Sequence, residues 1–223
     1  MKKHIVKIKS IKRVTHDVKQ FTTDKPDGYD FKPGQATDIS INREGWKGEE
    51  RPFTFTNLPW DDDLQFIIKG YPEHKGVTNE MHQLKEGDEF ILRDIYGSIT
   101  YKGEGVFIAG GAGVTPFISI LRYLNSKNEL GDNKLIFANK TSKDIILKDE
   151  FDNMLGNNFI NILSDEKTDE YAHGFMTEDF LKNYIHGNVK YVYLCGPLPM
   201  MKALKKQLKN LGVSKKSIVE ESF

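Results

Sequence analysis

The first part of the chain consists of short segments of alternating polarity, separated by turn sequences such as Asp24-Lys25-Pro26-Asp27-Gly28. Alternation with a period of two is typical of strands with one buried face, and many short strands with frequent turns are typical of an antiparallel barrel or sandwich. The pattern therefore predicts an antiparallel β domain. Its expected elements are strands at 4–13, 18–22, 35–41, 52–56, 64–69 and 89–93, and one short helix at 77–84.

After Tyr101 the pattern changes to short apolar runs that alternate with amphipathic segments of helical period. This alternation predicts βαβ units on a parallel sheet, which bind ligands at the carboxyl ends of the strands. The linker Lys102-Gly103-Glu104-Gly105 is the expected boundary, so we predict two domains, 1–101 and 102–223. The expected strands of the second domain are 106–109, 134–138, 159–163 and 191–195, and its expected helices are 116–127, 144–155, 177–185 and 200–211.

A glycine-rich turn, Gly110-Gly111-Ala112-Gly113-Val114-Thr115-Pro116, joins the first of these strands to the first helix. Glycines let a backbone turn sharply and approach a ligand closely, and a helix N-terminus attracts phosphate groups. We expect Thr115 to cap the helix and Pro116 to occupy its first turn. A pyrophosphate site is one interpretation, and a purely structural turn is the other. The usual G-x-G-x-x-G pattern is not matched, because Pro116 stands where its third glycine would be.

Composition removes several classes of function. The chain has 32 basic and 32 acidic residues, and this zero net charge argues against general nucleic-acid binding. A single cysteine, Cys195, excludes an internal disulfide, a cysteine zinc site and an iron–sulfur cluster of the chain's own. The six histidines show no metal-ligand spacing, so no metal is predicted. We found neither a membrane-spanning run nor a signal-peptide core, and therefore expect a cytoplasmic protein.

Two stretches of the first domain have the chemistry of a ligand site. In Arg51-Pro52-Phe53-Thr54, an arginine can grip a phosphate, an aromatic ring can stack on a planar ligand and a hydroxyl can donate a hydrogen bond. Read alone, this stretch also fits an edge strand with Phe53 in the core. Lys75-Gly76-Val77-Thr78-Asn79 opens the short helix and offers an anion site, or simply a capped helix.

Two stretches of the second domain complete the set. The first is a stretch after a buried strand, Cys195-Gly196-Pro197-Leu198-Pro199-Met200, which puts Cys195 at the same sheet edge as the glycine turn. The same stretch is also explained by a buried structural thiol that precedes a helix. The last stretch is a strand-like run that ends on an aromatic residue, Ile218-Val219-Glu220-Glu221-Ser222-Phe223. Under the simpler interpretation, the aromatic residue at the end has no particular role.

Together these stretches resemble the ferredoxin–NADP⁺ reductase superfamily of flavoproteins. Arg51-Pro52-Phe53-Thr54 is similar to its R-x-[YF]-[ST] flavin motif, and Gly76-Val77-Thr78 is similar to its motif for the flavin pyrophosphate. The glycine turn is similar to its G-G-x-G-x-T-P nucleotide motif, which accounts for Pro116. Cys195-Gly196-Pro197-Leu198-Pro199-Met200 is similar to C-G-P-x-x-M. The fold implied by the resemblance is an antiparallel Greek-key β-barrel that binds FAD, followed by an α/β parallel-sheet domain that binds the nicotinamide nucleotide.

The resemblance also implies roles for individual residues. Arg51 would hold the FAD pyrophosphate, Phe53 would stack on the isoalloxazine ring and Thr54 would reach flavin N5. Phe53 departs from the tyrosine that many relatives carry, which keeps the stacking face and loses a hydroxyl. The other cofactor-binding residues implied for the flavin and the nucleotide are Pro52, Ile68, Lys69, Gly76, Val77, Thr78, Gly110, Gly111, Gly113, Thr115, Pro116, Gly196, Pro197 and Met200.

Four more residues are implied at the reacting centre. Cys195 would sit beside the nicotinamide carbon that gives up hydride, and Phe223 would cover the flavin until the nicotinamide displaces it. Glu220 or Glu221 would relay a proton.

The function implied by the resemblance is hydride transfer from NADH or NADPH to FAD, with single electrons then passing to a separate flavodoxin or ferredoxin-type carrier. Lysine-rich patches near the N-terminus or on the last helix suit such acidic carriers. Two other functions stay open: direct reduction of a small acceptor such as a ferric chelate, free flavin or a quinone, and non-catalytic nucleotide binding in a regulatory module. Nucleic acid is not expected as a partner, and no membrane span is expected.

Nucleotide choice depends on the loop after the predicted strand 159–163. NADPH-using relatives commonly carry Ser-Arg there, whereas this chain has Ser164 and Asp165. A carboxylate accepts hydrogen bonds from a free ribose 2′-hydroxyl and repels a 2′-phosphate. Lys140, Lys143 and Lys167 argue in the other direction. We expect a preference for NADH.

Overall fold

The computed structural model describes residues 3–97, 99–186 and 189–221. Six strands form an antiparallel sheet in the order β4-β3-β6-β1-β2-β5. They are β1 (His4–Arg13), β2 (Val18–Asp24), β3 (Ala36–Ile41), β4 (Arg51–Thr54), β5 (Asp63–Lys69) and β6 (Glu89–Tyr96). Just beyond β4, the Thr56 N–H donates to the Gln65 carbonyl in β5 (2.9 Å), so the two edge strands meet and the sheet curls into a barrel. The antiparallel barrel prediction is confirmed.

A six-stranded parallel sheet follows, in the order β10-β9-β8-β7-β11-β12. Its strands are β7 (Gly105–Gly110), β8 (Lys134–Asn139), β9 (Phe159–Leu163), β10 (Ala172–His173), β11 (Tyr191–Cys195) and β12 (Ile218–Glu220). Buried apolar clusters cover both of its faces, which explains the uninterrupted apolar runs of its central strands. The predicted α/β parallel-sheet domain is confirmed.

The helices differ from the predicted ones mainly in length. The barrel carries α1 (Val77–Met81), and the parallel sheet carries α2 (Thr115–Ser126), α3 (Lys148–Leu155), α4 (Glu178–Leu181) and α5 (Leu198–Asn210). The expected start of α3 at 144 was wrong. Residues Ser142–Asp144 form a 3₁₀ turn closed by reciprocal hydrogen bonds of Thr141 and Asp144, and Leu147 has a left-handed backbone (φ 53°) that delays the helix.

The predicted cap of α2 was also wrong. A 3₁₀ turn, Gly111–Val114, leads directly into the helix, and Thr115 already has helical dihedral angles (φ −57°, ψ −42°). Its hydroxyl donates to the Ala112 carbonyl (3.0 Å) and does not accept from the helix. Pro116 lies in the first turn, as predicted.

The barrel and the parallel sheet share an apolar boundary along α2. Val18 and Ile67 of the barrel belong to the same buried cluster as Phe117 of α2. Within it, the Gly34 N–H donates to the Ser119 hydroxyl (2.9 Å). Among the residues that the model describes, no helix is long and apolar enough to cross a membrane.

Candidate functional site

Strand β4 presents Thr54 in a row with residues of two neighbouring strands. Thr54 is the register partner of Ala36 in β3, and Ala36 is also the partner of Tyr96 in β6. Directly opposite residues of adjacent strands project to the same face, so the three side chains share one surface. The Tyr96 hydroxyl donates to Asp38 Oδ1 (2.7 Å), and burial together with this carboxylate raises the Tyr96 pKa. Sequence reasoning missed this pair, because the two residues meet only through strand pairing.

The other side chains of β4 differ in exposure. Arg51 is exposed, and its Nη1 donates to the Glu50 carbonyl (2.6 Å). Phe53 is half-buried against the barrel core, and β4 lies at the end of the strand order, as the simpler interpretation of this stretch proposed. Its partly exposed ring leaves the stacking role as a prediction.

A buried arginine that the sequence did not indicate pairs with Glu50, the residue before Arg51. Arg93 of β6 has a side chain only 4% exposed and forms an ion pair with Glu50, with Nε at 2.9 Å from Oε1. Its Nη1 is buried without a hydrogen-bond partner among the described residues. Such an orphaned cationic donor suits an anionic partner.

The remaining barrel residues assigned from the sequence lie in several environments. Gly76 precedes α1 with an extended backbone (φ −100°, ψ 174°) and no side-chain cap, and the space around it is open. Val77 is buried and Thr78 is half-buried. Ile68 points into the barrel core, and Lys69 forms an ion pair with Asp17 (2.9 Å).

The glycine turn and the segment after β11 pack directly on each other. A Cβ on Gly110 would stand 2.6 Å from Met200 Sδ, and one on Gly113 would stand 2.4 Å from the Cys195 carbonyl oxygen. Two glycines are therefore needed to let the segments touch. Gly111 has a left-handed backbone (φ 52°) with no heavy atom near its missing side chain, so its backbone faces open space. The structure thus brings these two motifs together at one sheet edge, with Gly196, Pro197 and Met200 forming one wall.

Cys195 ends β11 and is the register partner of Ala109 in β7. Burial raises the pKa of its thiol to about 12, and the negative charge of Glu221 adds to this rise. The same Glu221 charge contributes, after burial and Asp38, to the raised pKa of Tyr96. Glu221 therefore lies within electrostatic reach of both the sheet edge and the barrel row.

The two glutamates at the end of the chain are not equivalent. Strand β12 runs parallel to β11, with Glu220 opposite Leu194. Glu220 forms an ion pair with Lys205 of α5 (3.1 Å), whereas Glu221 acts on Cys195 and Tyr96. Of the two residues assigned to proton relay, Glu221 is the one whose charge affects Cys195 and Tyr96. Phe223 lies outside the described residues, so its predicted role stays a prediction.

The loops after β8 and β9 are joined by hydrogen bonds. The Ser164 N–H donates to the Asn139 carbonyl (3.0 Å), and the Ser164 hydroxyl donates to Asp165 Oδ1 (2.6 Å). The Glu166 carboxylate accepts from the Ser142 N–H (2.5 Å), which lowers the Glu166 pKa. Asp165 is exposed at this sheet edge. This geometry leaves its carboxylate accessible to a ligand.

Two other places have ligand-site features. A cleft of about 560 Å³ between the barrel and α2–α3 is lined by polar residues that include Asn57, Gln65, Arg122 and Glu150, and its described lining contains none of the four motifs. Asp17 lies near His16 and Asp144, with ligand atoms within 4.8 Å of one another. Because Lys69 already neutralises Asp17, we assign no metal to that cluster.

Comparisons with known proteins agree with this geometry. Residues 107–206 match the family model described as an oxidoreductase NAD-binding domain. The chain is 31% identical over 215 residues to the reductase component of propane 2-monooxygenase from Rhodococcus jostii. This alignment covers 89% of this chain and 57% of that protein. It is 28% identical over 219 residues to NADH-cytochrome b5 reductase 2 from Mycosarcoma maydis, which covers 88% of this chain and 62% of the relative. The chain thus spans about three fifths of the length of these curated relatives.

Solved structures show the same architecture. The flavohem-like FAD/NAD-binding domain of nitric oxide dioxygenase from Vibrio cholerae superposes with a TM-score of 0.86 at 25% identity, over 98% of both chains. A ferredoxin NADP⁺ reductase from Neisseria gonorrhoeae, with bound FAD and NADP, superposes with a TM-score of 0.86 at 19% identity, over 99% of this chain and 98% of the other. At that identity the second likeness shows the fold alone.

Proposed function

Because the chain belongs to the ferredoxin–NADP⁺ reductase superfamily, we propose that it is a flavoprotein oxidoreductase that takes electrons from NADH or NADPH and passes them to a separate acceptor. The observation that carries this proposal is the packing of the glycine turn on the segment after β11 at one sheet edge, where a Cβ on Gly113 would stand 2.4 Å from the Cys195 carbonyl oxygen. We place the flavin edge at β4 and the nicotinamide at this sheet edge, and the charge of Glu221, which affects both Cys195 and Tyr96, supports their being near each other. A nicotinamide bound there would lie against the flavin, which is the arrangement that hydride transfer needs.

The barrel residues fit a flavin dinucleotide. The exposed Arg51 supplies positive charge for the pyrophosphate, and the open backbone at Gly76 offers further N–H donors. Phe53 offers a partly exposed ring for stacking, and Thr54 offers a hydroxyl at the end of β4. When bound, FAD accepts a hydride and releases electrons one at a time. The chain's own task is to bind, orient and shield the reacting groups.

The nucleotide half fits the second substrate. The open backbone at Gly111, followed by the start of α2, is suited to a pyrophosphate, because helix N-terminal N–H groups and the helix dipole favour negative charge. Cys195 remains a neutral thiol at physiological pH, so it acts by contact and by S–H donation and not as a nucleophile. We propose that Glu221 holds or moves a proton near Cys195, and its effect on the Cys195 pKa supports this role. We further propose that Asp165 accepts hydrogen bonds from the ribose 2′-hydroxyl and favours NADH.

We propose a protein as the electron acceptor, of the flavodoxin or ferredoxin type or an oxygenase component. Support comes from relatives that are themselves reductase or electron-transfer components of oxygenases, including that of 2-halobenzoate 1,2-dioxygenase from Burkholderia cepacia. We also propose the division into a flavin domain, 1–101, and a nucleotide domain, 102–223. It agrees with the two sheets, which are built from strands on either side of that point.

The test is anaerobic stopped-flow reduction of the purified protein. We expect it to carry non-covalent FAD and to lose flavin absorbance on mixing with NADH. The reduced protein should be reoxidised faster by an acidic one-electron carrier than in buffer without an added acceptor. FMN as the bound flavin, or no bleaching with either nucleotide after reconstitution with FAD, would reject the proposal. Faster turnover with free flavin or a quinone than with every protein carrier would reject the choice of acceptor alone.

A further inference from the structure

Arg122 of α2 joins three elements across the boundary between the barrel and the parallel sheet. Its Nη1 donates to the Thr56 carbonyl (2.7 Å) and to Gln65 Oε1 (2.7 Å), both in the barrel. Its Nε and Nη2 donate to the two carboxylate oxygens of Glu150 in α3, at 2.5 and 2.7 Å. A planar guanidinium held by four hydrogen bonds has a fixed position and direction.

The barrel end of this contact leads directly to the proposed flavin strand. Thr56 is fully buried, and its N–H and hydroxyl both bond to Gln65, so its backbone cannot shift independently of β5. Thr54, the last residue of β4, precedes it by two positions. Any displacement of the Thr56 carbonyl would therefore be transmitted to Thr54.

The other end of the contact leads to the glycine turn. Helix α2 begins at Thr115, about 10 Å along its axis from Arg122 at 1.5 Å per residue. One turn earlier than Arg122, on the same face of the helix, Ser119 accepts the buried N–H of Gly34 in the barrel. A rigid helix with two such anchors fixes the turn relative to the barrel.

We propose that Arg122 is a positioning residue that sets the distance and angle between a nicotinamide held at the glycine turn and a flavin held at β4. This inference rests on the proposed function. Arg122 touches neither ligand site in the described structure, so it acts through α2 and Thr56. Hydride transfer is sensitive to such placement, because a misplacement of about 1 Å can cost about 100-fold in rate.

The test compares Arg122→Gln with Lys127→Gln in the flavin-loaded protein. Lys127 is a matched control: it follows α2 on the same boundary and loses the same charge, but its contacts are with the rings of Trp60 and Tyr123, at 5.0 and 5.9 Å. We expect Arg122→Gln to reduce the hydride-transfer rate at saturating nucleotide by about tenfold or more. The nucleotide concentration at half-saturation and the flavin content should both stay within about twofold of the wild-type values. Lys127→Gln should match the wild type, and Arg122→Lys should fall between.

Hydrogen exchange supplies a readout that does not depend on activity. Amides of 54–57 and 63–69 should exchange faster in Arg122→Gln than in Lys127→Gln, with and without flavin. If Arg122→Gln does not fold, Arg122→Lys decides by the same two measurements. The inference is wrong if the arginine variant transfers hydride at the control's rate, or if both variants exchange alike. A wild type that neither nucleotide reduces would reject the proposed function instead, and exchange would still report on the contact.

Discussion

Gly113 lies against the backbone of Cys195, so closely that a Cβ on the glycine would stand 2.4 Å from the cysteine carbonyl oxygen. The glycine turn is therefore held at the carboxyl edge of the sheet by backbone contact, and not only by side chains. The neighbouring contact of Gly110 is different, because its nearest atom, at 2.6 Å, is the flexible thioether of Met200. The two glycines should therefore differ in their tolerance of a methyl group.

We predict that Gly113→Ala is more damaging than Gly110→Ala. A methyl group at Gly113 must push backbone aside, at a cost of about 1–3 kcal/mol, whereas Met200 can adopt another rotamer for less than about 1 kcal/mol. Denaturant unfolding and nucleotide titration of both variants measure this difference. Equal losses in the two variants would mean that the contact with Cys195 does not decide the position of the turn.

The raised thiol pKa of Cys195 predicts a loss of stability at high pH. The folded pKa is about 12, against an ordinary value of 9.0. Because the neutral thiol is the form that the folded state favours, its contribution to stability is complete below pH 9 and is lost as the pH rises from 9 to 12. Unfolding free energies measured between pH 8 and about 11 should fall less steeply in Cys195→Ala. The same slope in both proteins would contradict the assigned pKa.

Cys195→Ser should bind flavin and nucleotide almost normally but slow the reaction between them.

Glu221→Gln and Glu220→Gln form a matched pair. The charge of Glu221 affects Cys195 and Tyr96, whereas Glu220 pairs with Lys205 on α5. We expect Glu221→Gln to lower the Cys195 pKa and to slow flavin reduction several-fold, with a shifted pH profile. Glu220→Gln should leave the reduction rate near that of the wild type. A larger effect at Glu220 would exchange the two assignments.

Nucleotide choice should depend on Asp165, which is exposed at the end of β9. Replacing its carboxylate with a cation in Asp165→Arg should move the ratio of kcat/KM values towards NADPH by about tenfold, or roughly 1.4 kcal/mol. Asp169→Arg, at an exposed position further along the same loop, controls for the added charge. If the wild type already prefers NADPH tenfold, the lysines nearby govern the choice and our interpretation of Asp165 is wrong.

The sequence predicted most of the fold because its periodicity records burial. The apolar runs of β7, β8, β9 and β11 are covered on both faces by packed clusters, and the alternating run of β1 has one buried face. Helix boundaries were predicted less well. Nothing local announces the left-handed Leu147 that delays α3, and the 3₁₀ turn before α2 makes Thr115 a helix residue.

No pattern in the sequence indicates the contacts that link distant segments. Arg93 pairs with Glu50, Arg122 with Thr56, and Tyr96 with Asp38, each across at least 40 positions. Single charged or aromatic residues of this kind are normally interpreted as surface residues, because periodicity gives no information about partners outside the element. Strand register and helix packing determine these pairs. They can be identified only once the two sheets are placed in space.

The buried bond from the Gly34 N–H to the Ser119 hydroxyl affects how such a chain can be rebuilt. Hybrid enzymes are commonly made by exchanging halves between relatives at the linker. Here a transplanted second half must bring a small hydroxyl residue at position 119. A transplanted first half must keep glycine at 34, where the backbone is left-handed (φ 92°) and a Cβ would stand 2.1 Å from the Ile99 carbonyl oxygen. Halves chosen without regard to these two positions would assemble with a buried donor unpaired or with a steric clash inside the first half.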